Sequence, residues 1–334
     1  REFTDPTAHA EMLAIREACR VLGDMRLTGC DLWVTLEPCA HTGKTPPCAE
    51  ALVKAGIQRC VVATIDPDPR VAGRGLERLR DAGIEVVEGV LEEQAQDLNA
   101  GFFTRMQQNR PLITVKVATS LDSRIATQKG ESQWITGPDA RAYGHLLRAE
   151  HDAIMIGAGT ALTDNPSLTC RLPGMYDRSP IRVLLDSHLR LPLTSKLVST
   201  ARETPLWIFT LEDSEQDRRR AVFEDCGVKV FPLAADEHGH PDLLEAAHIL
   251  AERGVTRVLV EGGGHLIGAL FESSLVDRLV WMRAPLVIGG DGVRAVRPFG
   301  IEKLSTAPRF RRLETLSVGP DVVELLAIDP VGDA

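Results

Sequence analysis

Three residue types fall at a spacing that could hold a metal and use it. His9-Ala10-Glu11 stands at the head of a helical pattern, Cys39 follows Glu37-Pro38, and Cys48 follows Pro46-Pro47. One imidazole and two thiolates are good zinc ligands. Three protein ligands leave the fourth tetrahedral position open to water, which is the layout of a catalytic rather than a structural zinc. A zinc ion there would lower the pKa of bound water toward about 7. Glu11, two residues from His9, could reach that water without being a ligand and carry its proton to a leaving amine. Each part alone is weak: His-Ala-Glu is common, and Cys39 and Cys48 could be two core thiols. Together they read as hydrolytic zinc deaminase chemistry: His-x-Glu at a helix start, a strand, Pro-Cys, then a second Cys at the next helix start.

The elements that must position these residues follow from hydrophobic periodicity. Ala10–Leu22 reads as a helix with Met12, Leu13, Ile15 and Cys19 on one face, and Asp5 or Thr7 could cap it. Asp31–Leu36, Arg59–Thr64 and Ile84–Val87 read as short buried strands. Pro47–Ala55 and Val71–Ala82 read as helices that stop at Gly56 and Gly83, and Glu92–Gln108 as one long helix. Alternating units of this size imply an α/β layer structure. Asn109-Arg110-Pro111 looks like a hinge, because a proline after a long helix ends it. A second α/β series begins at Leu112–Val117 and continues through Ala153–Gly157, Ile181–Asp186, Leu206–Thr210, Val228–Pro232 and Arg257–Glu261. The expectation is two domains, 1–109 and 111–330.

The bulk numbers agree with two domains. The chain has 334 residues, and domains commonly hold about 150. It is 44% hydrophobic and 25% charged, an ordinary globular composition. A net charge of -9 speaks against a nucleic-acid partner. The densest basic run, Arg218-Arg219-Arg220, is preceded by Glu212, Asp213, Glu215 and Asp217 and reads as a solvated helix face. The seven cysteines are an odd, scattered set. There is no signal peptide and no run of about 18 apolar residues. Reduced thiols, a cytoplasmic setting and no membrane partner are therefore expected. The chain opens Arg1-Glu2-Phe3 with no initiator Met and no strand ahead of His9, so an upstream segment of the first domain is expected.

The flanks sharpen the chemistry. Asp5 to Ala14, with Arg26-Leu27-Thr28-Gly29-Cys30, closely resembles tRNA adenosine deaminases. Those carry two residues between their cysteines, whereas here eight intervene, Ala40 to Pro47. That insert, rich in His, Gly and Lys and ending Thr-Pro-Pro-Cys, resembles the bifunctional deaminase–reductases of riboflavin biosynthesis. So do Asp66-Pro67-Asp68-Pro69 and Val71-Ala72-Gly73-Arg74-Gly75. The resemblance implies a cytidine-deaminase-like three-layer α/β/α domain and places His41, Lys44 and Asp66 beside a pyrimidine substrate. Asp68 stands where that family usually has Asn and is left outside the set.

The rest of the chain, from Pro111 to about Leu326, resembles the reductase domain of the same family, which is similar in fold to dihydrofolate reductase. The landmarks are Lys116 to Asp122, Gly130 to Thr136, Arg148, Gly157-Ala158-Gly159-Thr160, Asp164 to Arg171, and Val260 to Leu266, which reads strand, glycine turn, helix. Backbone N–H groups at such a helix start suit a phosphate. The resemblance implies substrate contacts from Ser132, Arg148, Leu168, Arg171 and Glu261, the two arginines holding a 5′-phosphate with their forked donors. It implies NADPH contacts from Ala118, Trp134, Thr160, Asp164, Ser187 and the turn Gly263, Gly264, His265, Leu266, Ile267, Gly268 and Ala269. Ser123 replaces the family's usual Gly, which bears on loop geometry. Asp122 is a candidate for assisting sugar-ring opening. The implied enzyme uses Zn2+ and NADPH on a small pyrimidine nucleotide. It deaminates 2,5-diamino-6-ribosylamino-4(3H)-pyrimidinone 5′-phosphate, then reduces the ribosyl chain to ribityl. It is expected to be a homo-oligomer. The alternative is a nucleic-acid adenosine deaminase fused to a reductase-like domain, and the charge and the eight-residue loop disfavour it. A binding module with structural zinc would have no use for Glu11.

Overall fold

The computed structural model describes residues 10–24, 26–42, 46–213 and 216–329. The chain divides into two compact units, residues 1–108 and 109–334.

In the first unit, helix α1 (Ala10–Leu22) leads to strand β1 (Asp31–Leu36). Then come α2 (Cys48–Ala55), β2 (Arg59–Thr64), α3 (Arg74–Asp81) and β3 (Glu85–Glu88). Two short helices close the unit, α4 (Glu92–Leu98) and α5 (Ala100–Gln108). The strands form a parallel sheet in the order β1-β2-β3. Side chains alternate across it. Cys60 and Val62 pack with Ala49 and Leu52 of α2 and with Leu76 and Leu79 of α3, while α4 runs against β1 and β2. Gly56 ends α2 in the left-handed region (φ 69°, ψ 37°), which costs a glycine little. The single helix expected over Glu92–Gln108 is two. The break falls at Asn99 (φ -97°, ψ 12°), whose Nδ2 and backbone N–H both donate to the Ala95 carbonyl, at 2.8 and 3.0 Å. The helix expected from Val71 begins at Arg74, because Ala72 (φ 28°) and Gly73 (φ 89°) are in left-handed turns.

The second unit starts with β4 (Leu112–Thr119), β5 (Arg124–Ala126), α6 (Pro138–Ala149), β6 (Ala153–Gly157) and α7 (Ala158–Asp164). It continues through β7 (Ile181–Leu185), α8 (Lys196–Ser199), β8 (Leu206–Leu211), α9 (Asp217–Asp225), β9 (Lys229–Leu233) and α10 (Leu243–Glu252). Last come β10 (Arg257–Val260), α11 (Gly264–Glu272), β11 (Arg278–Arg283), β12 (Val293–Arg294), β13 (Phe310–Val318) and β14 (Asp321–Ile328). Nine of these strands form one sheet in the order β13-β14-β11-β4-β10-β6-β7-β8-β9. From β11 to β9 all neighbours are parallel, and β14 and β13 add an antiparallel edge. Both faces are covered. Val258 and Val260 point into one apolar cluster and Leu259 into the other. Arg110 makes a two-pronged ion pair with Asp277 (2.7 and 2.8 Å), and the same carboxylate accepts the Ile113 N–H at 2.8 Å. This pins the start of β4 beside that of β11. The chain runs outward from β6 to β9 and returns to insert β10 between β4 and β6. In open α/β sheets a crevice at the carboxyl ends of strands around such a reversal is where ligands bind.

Candidate functional sites

In the first unit two loops bring the cysteines together. Cys39 follows β1 and Cys48 opens α2, where Pro47 precedes the helix at φ -55°. The Cys48 N–H donates to Cys39 Sγ at 3.3 Å, and the Ala49 N–H donates to the Cys39 carbonyl at 3.1 Å. Hydrogen bonding with the Cys48 side chain pulls the Cys39 thiol down to about 6 against the opposing effect of burial, and His41 helps. Two adjacent thiols, one already close to a thiolate near neutral pH, fit a zinc ion. His9, Lys44 and the side chain of Glu11 lie outside the described residues.

His41 stands by this pair, and Asp66 is near His41. His41 Nδ1 is buried with no hydrogen-bond partner among the described residues. Asp66 is buried in the loop after β2, and its carboxyl is pushed up to about 6, first by desolvation and then by the nearby Asp68 and Glu37. Asp68 is committed elsewhere, since Arg70 grips its carboxylate and holds it below the usual range. The residue that sequence reasoning missed is Glu37. It is 3% exposed and accepts backbone N–H groups from Asp66, Gly73, Gly75 and Leu76.

In the second unit the carboxyl ends of β4 and β10 meet α6 over a charged network. Arg148 Nε donates to Glu261 Oε1 at 2.6 Å and Nη2 to Oε2 at 3.0 Å, while Nη1 donates to the Thr169 carbonyl at 3.1 Å. Lys116 Nζ lies 3.6 Å from Glu261 Oε2. Desolvation alone would raise the Glu261 carboxyl, but Lys116 and Arg148 outweigh it and hold it at about 2. Arg171 is exposed and its backbone and side-chain N–H groups approach the His145 ring at 3.3 and 3.4 Å. Burial first, then Arg148 and Arg171, keep that imidazole's pKa low and its ring neutral. Two cations, Lys116 and Arg148, thus meet one carboxylate, and Arg171 joins them through the His145 ring. Of the residues expected here, Arg148, Arg171 and Glu261 come together, and the buried Leu168 holds the turn beside them in a left-handed conformation (φ 56°). Arg148 is occupied by Glu261, so it is less free than the expected phosphate role supposes. Lys116 was legible only as one charge in an apolar strand.

The residues expected around NADPH are spread over strand ends. The Gly263 N–H donates to Thr160 Oγ1 at 3.2 Å, joining the turns after β10 and β6. The first N–H groups of α11, from Gly264 onward, have no acceptor within the helix. A Cβ on Gly159 would meet nothing within 4 Å, so the backbone there is open to a ligand. Within 263–269, Leu266, Ile267 and Gly268 face the core, and only their backbone could touch a cofactor. Trp134 is 67% exposed with the Arg141 guanidinium 4.5 Å over its ring. Ala118 and Ser187 are half-buried, and Ser132 and Asp164 are exposed. Among the described residues no hydrogen bond ties Ser132, Trp134, Asp164 or Ser187 to the network around Glu261. Asp122 is a structural clasp. It accepts the Ser120 hydroxyl at 2.6 Å and the Ile288 and Gly289 N–H groups at 3.1 and 2.7 Å, and these bonds hold it at about 2. Ser123, in the family's usual Gly position, adopts φ 61°.

A parallel-sheet unit carrying paired cysteines, followed by a cofactor-type α/β unit with glycine turns at its strand ends, defines a zinc deaminase joined to a reductase. Residues 1–64 match the family described as the cytidine and deoxycytidylate deaminase zinc-binding region, and residues 111–324 match the RibD C-terminal domain. The riboflavin biosynthesis protein RibD of Bacillus amyloliquefaciens is 42% identical over 326 residues, covering 97% of this chain and 85% of that protein. RibD of Escherichia coli K12 is 40% identical, covering 94% and 85%. The solved structure of Acinetobacter baumannii RibD superposes with a TM-score of 0.82 at 34% identity, covering 96% of this chain and 85% of that one. The chain belongs to the RibD family of bifunctional riboflavin biosynthesis deaminase–reductases. Its cofactors are Zn2+ for the deaminase and NADPH for the reductase. No helix among the described residues is long and apolar enough to cross a membrane.

Proposed function

We propose that the first domain, residues 1–109, hydrolyses the 2-amino group of 2,5-diamino-6-ribosylamino-4(3H)-pyrimidinone 5′-phosphate. The second, residues 111–330, then reduces the ribosyl side chain to ribityl. The observation that carries this reading is the charged network. Lys116 and Arg148 meet a single carboxylate, Glu261, Arg171 joins them at the His145 ring, and the two positive charges left over match a phosphate dianion.

His9, Cys39 and Cys48 would hold the zinc, which when bound supplies Lewis acidity toward water. Glu11 carries the proton from that water to the departing amine, so water and the amino compound become the carbonyl compound and ammonia. His41, Lys44 and Asp66 hold the pyrimidine ring. In the reductase, Glu261 fixes Arg148 and Lys116, and Arg171, exposed and braced by the His145 ring, takes the 5′-phosphate. Ser132 and Leu168 complete that pocket. Thr160 and the Gly263–Ala269 turn would hold NADPH by backbone groups, with Ala118, Trp134, Asp164 and Ser187 as further contacts, and the bound cofactor would supply the hydride that reduces the ribose carbon.

The partners are the small nucleotide and further copies of the chain, without nucleic acid or membrane, in the cytoplasm. Two assays test the reading. A chelator should abolish ammonia release and spare NADPH oxidation. NADPH oxidation should require the deaminated nucleotide, and oxidation at equal rate with the undeaminated one would overturn the order of steps.

A further inference from the structure

We infer that Glu37 is a positioning residue of the deaminase, its carboxylate setting the place of both Cys39 and Asp66. Glu37 directly follows β1, two residues before Cys39. It is buried, and no cation pairs with it among the described residues. A buried carboxylate without a counter-charge is costly unless hydrogen bonds replace water. Four backbone N–H groups do so here. Oε1 accepts from Gly75 at 2.8 Å and Leu76 at 3.4 Å, and Oε2 accepts from Gly73 at 2.8 Å and Asp66 at 3.4 Å.

Three of these donors belong to the N-cap residue and first turn of α3, which has no side-chain cap of its own. Glu37 therefore supplies that cap from another strand, and the helix dipole favours its negative charge there. The fourth donor is the backbone of Asp66. The Glu37 N–H in turn donates to the Thr64 carbonyl at 3.1 Å, which ties the ends of β1 and β2. One side chain thus fastens three segments: the loop bearing Cys39, the loop bearing Asp66, and the start of α3. The fit has no slack, since a Cβ on Gly75 would lie 1.9 Å from the Pro38 carbonyl oxygen. Glutamine is the informative replacement. Its amide places a donor against donors on one side, so it preserves size and polarity while breaking half the clasp.

The inference rests on Cys39 being a metal ligand. The test uses the full chain with cobalt in place of zinc, because the visible bands of cobalt report ligand geometry. Glu37→Gln should shift those bands and speed metal release to a chelator by roughly 10- to 100-fold, the usual effect of losing an outer partner of a metal site. Ammonia release should fall, while NADPH oxidation with the deaminated nucleotide stays within twofold of wild type and shows the chain is folded. Gly75→Ala, which presses on Pro38 from the other side, should shift the bands in the same way. Glu37→Gln with wild-type bands and wild-type metal release overturns the inference alone. A wild-type chain that takes up no cobalt overturns the ligand assignment and the inference with it.

Discussion

Replacing Glu261 by glutamine should make the chain's stability less sensitive to acid, and the size of the change follows from the ion network. The carboxyl sits at about 2 in the folded chain against 4.5 for the unfolded reference. A depressed carboxylate pKa stabilises the fold above the unfolded value, and that stability is lost as pH falls through the folded one. The shift corresponds to about 3 kcal/mol at pH 7, at 1.36 kcal/mol per pKa unit. Roughly 2 kcal/mol of it disappears between pH 7 and pH 3, and the remainder below that. Glutamine cannot be a counter-charge, so at pH 7 the variant also leaves Arg148 and Lys116 without their partner, a further loss of the kind expected when one side of a buried pair is removed. Urea unfolding of wild type and Glu261→Gln at pH 7, 5 and 3 measures this. The stability gap should be widest at pH 7, almost unchanged at pH 5, and narrower by about 2 kcal/mol at pH 3. A gap of constant size at all three values would refute the reasoning, since the pair would then contribute through packing and not through charge.

Three other outcomes follow from the same structure. Arg171→Ala should raise the reductase KM for the phosphorylated substrate by roughly 10- to 100-fold, a charge-assisted hydrogen bond's worth, and leave the KM for NADPH unchanged in steady-state kinetics. Glu11→Gln should retain one zinc per chain by metal analysis yet lose ammonia release by at least about 100-fold, the lower end of what a positioned proton carrier contributes. Arg110→Ala breaks a largely buried two-pronged pair and strands Asp277, which should lower stability by about 3 kcal/mol in urea unfolding while zinc content is unchanged.

The alternation of helices and strands up to residue 261 was legible because each element carries its own pattern. Leu112–Thr119 is a continuous apolar run, and glycines stop α2 and α3. The closing strands were not. β13, Phe310–Val318, is an edge strand exposed along most of its length, so Arg311, Arg312 and Glu314 show no in-and-out alternation. β11 has arginines at both ends, Arg278 and Arg283, around a four-residue apolar stretch too short for periodicity to sort. The break at Asn99 is one residue's departure from helical backbone angles (φ -97°, ψ 12°), and hydrophobic periodicity does not contain that.

The sites divide along the same line. Ligand types at short spacing announce themselves, as Cys39 and Cys48 do, because the metal demands those atoms whatever surrounds them. Residues that matter through distant partners stay silent. Glu37 looks like any acid at a strand end until residues 73 to 76 fold over it, and Lys116 looks like a stray charge until Glu261, far along the chain, arrives beside it. Arg148 shows the reverse hazard. Its residue type matches a phosphate grip, but its guanidinium already spends three donors on Glu261 and Thr169. Arginine reads the same in sequence whether its partner is a ligand or a buried carboxylate. The distinction lies in the partners around it: Arg148 is held by a buried carboxylate, while Arg171 is exposed and meets only the His145 ring.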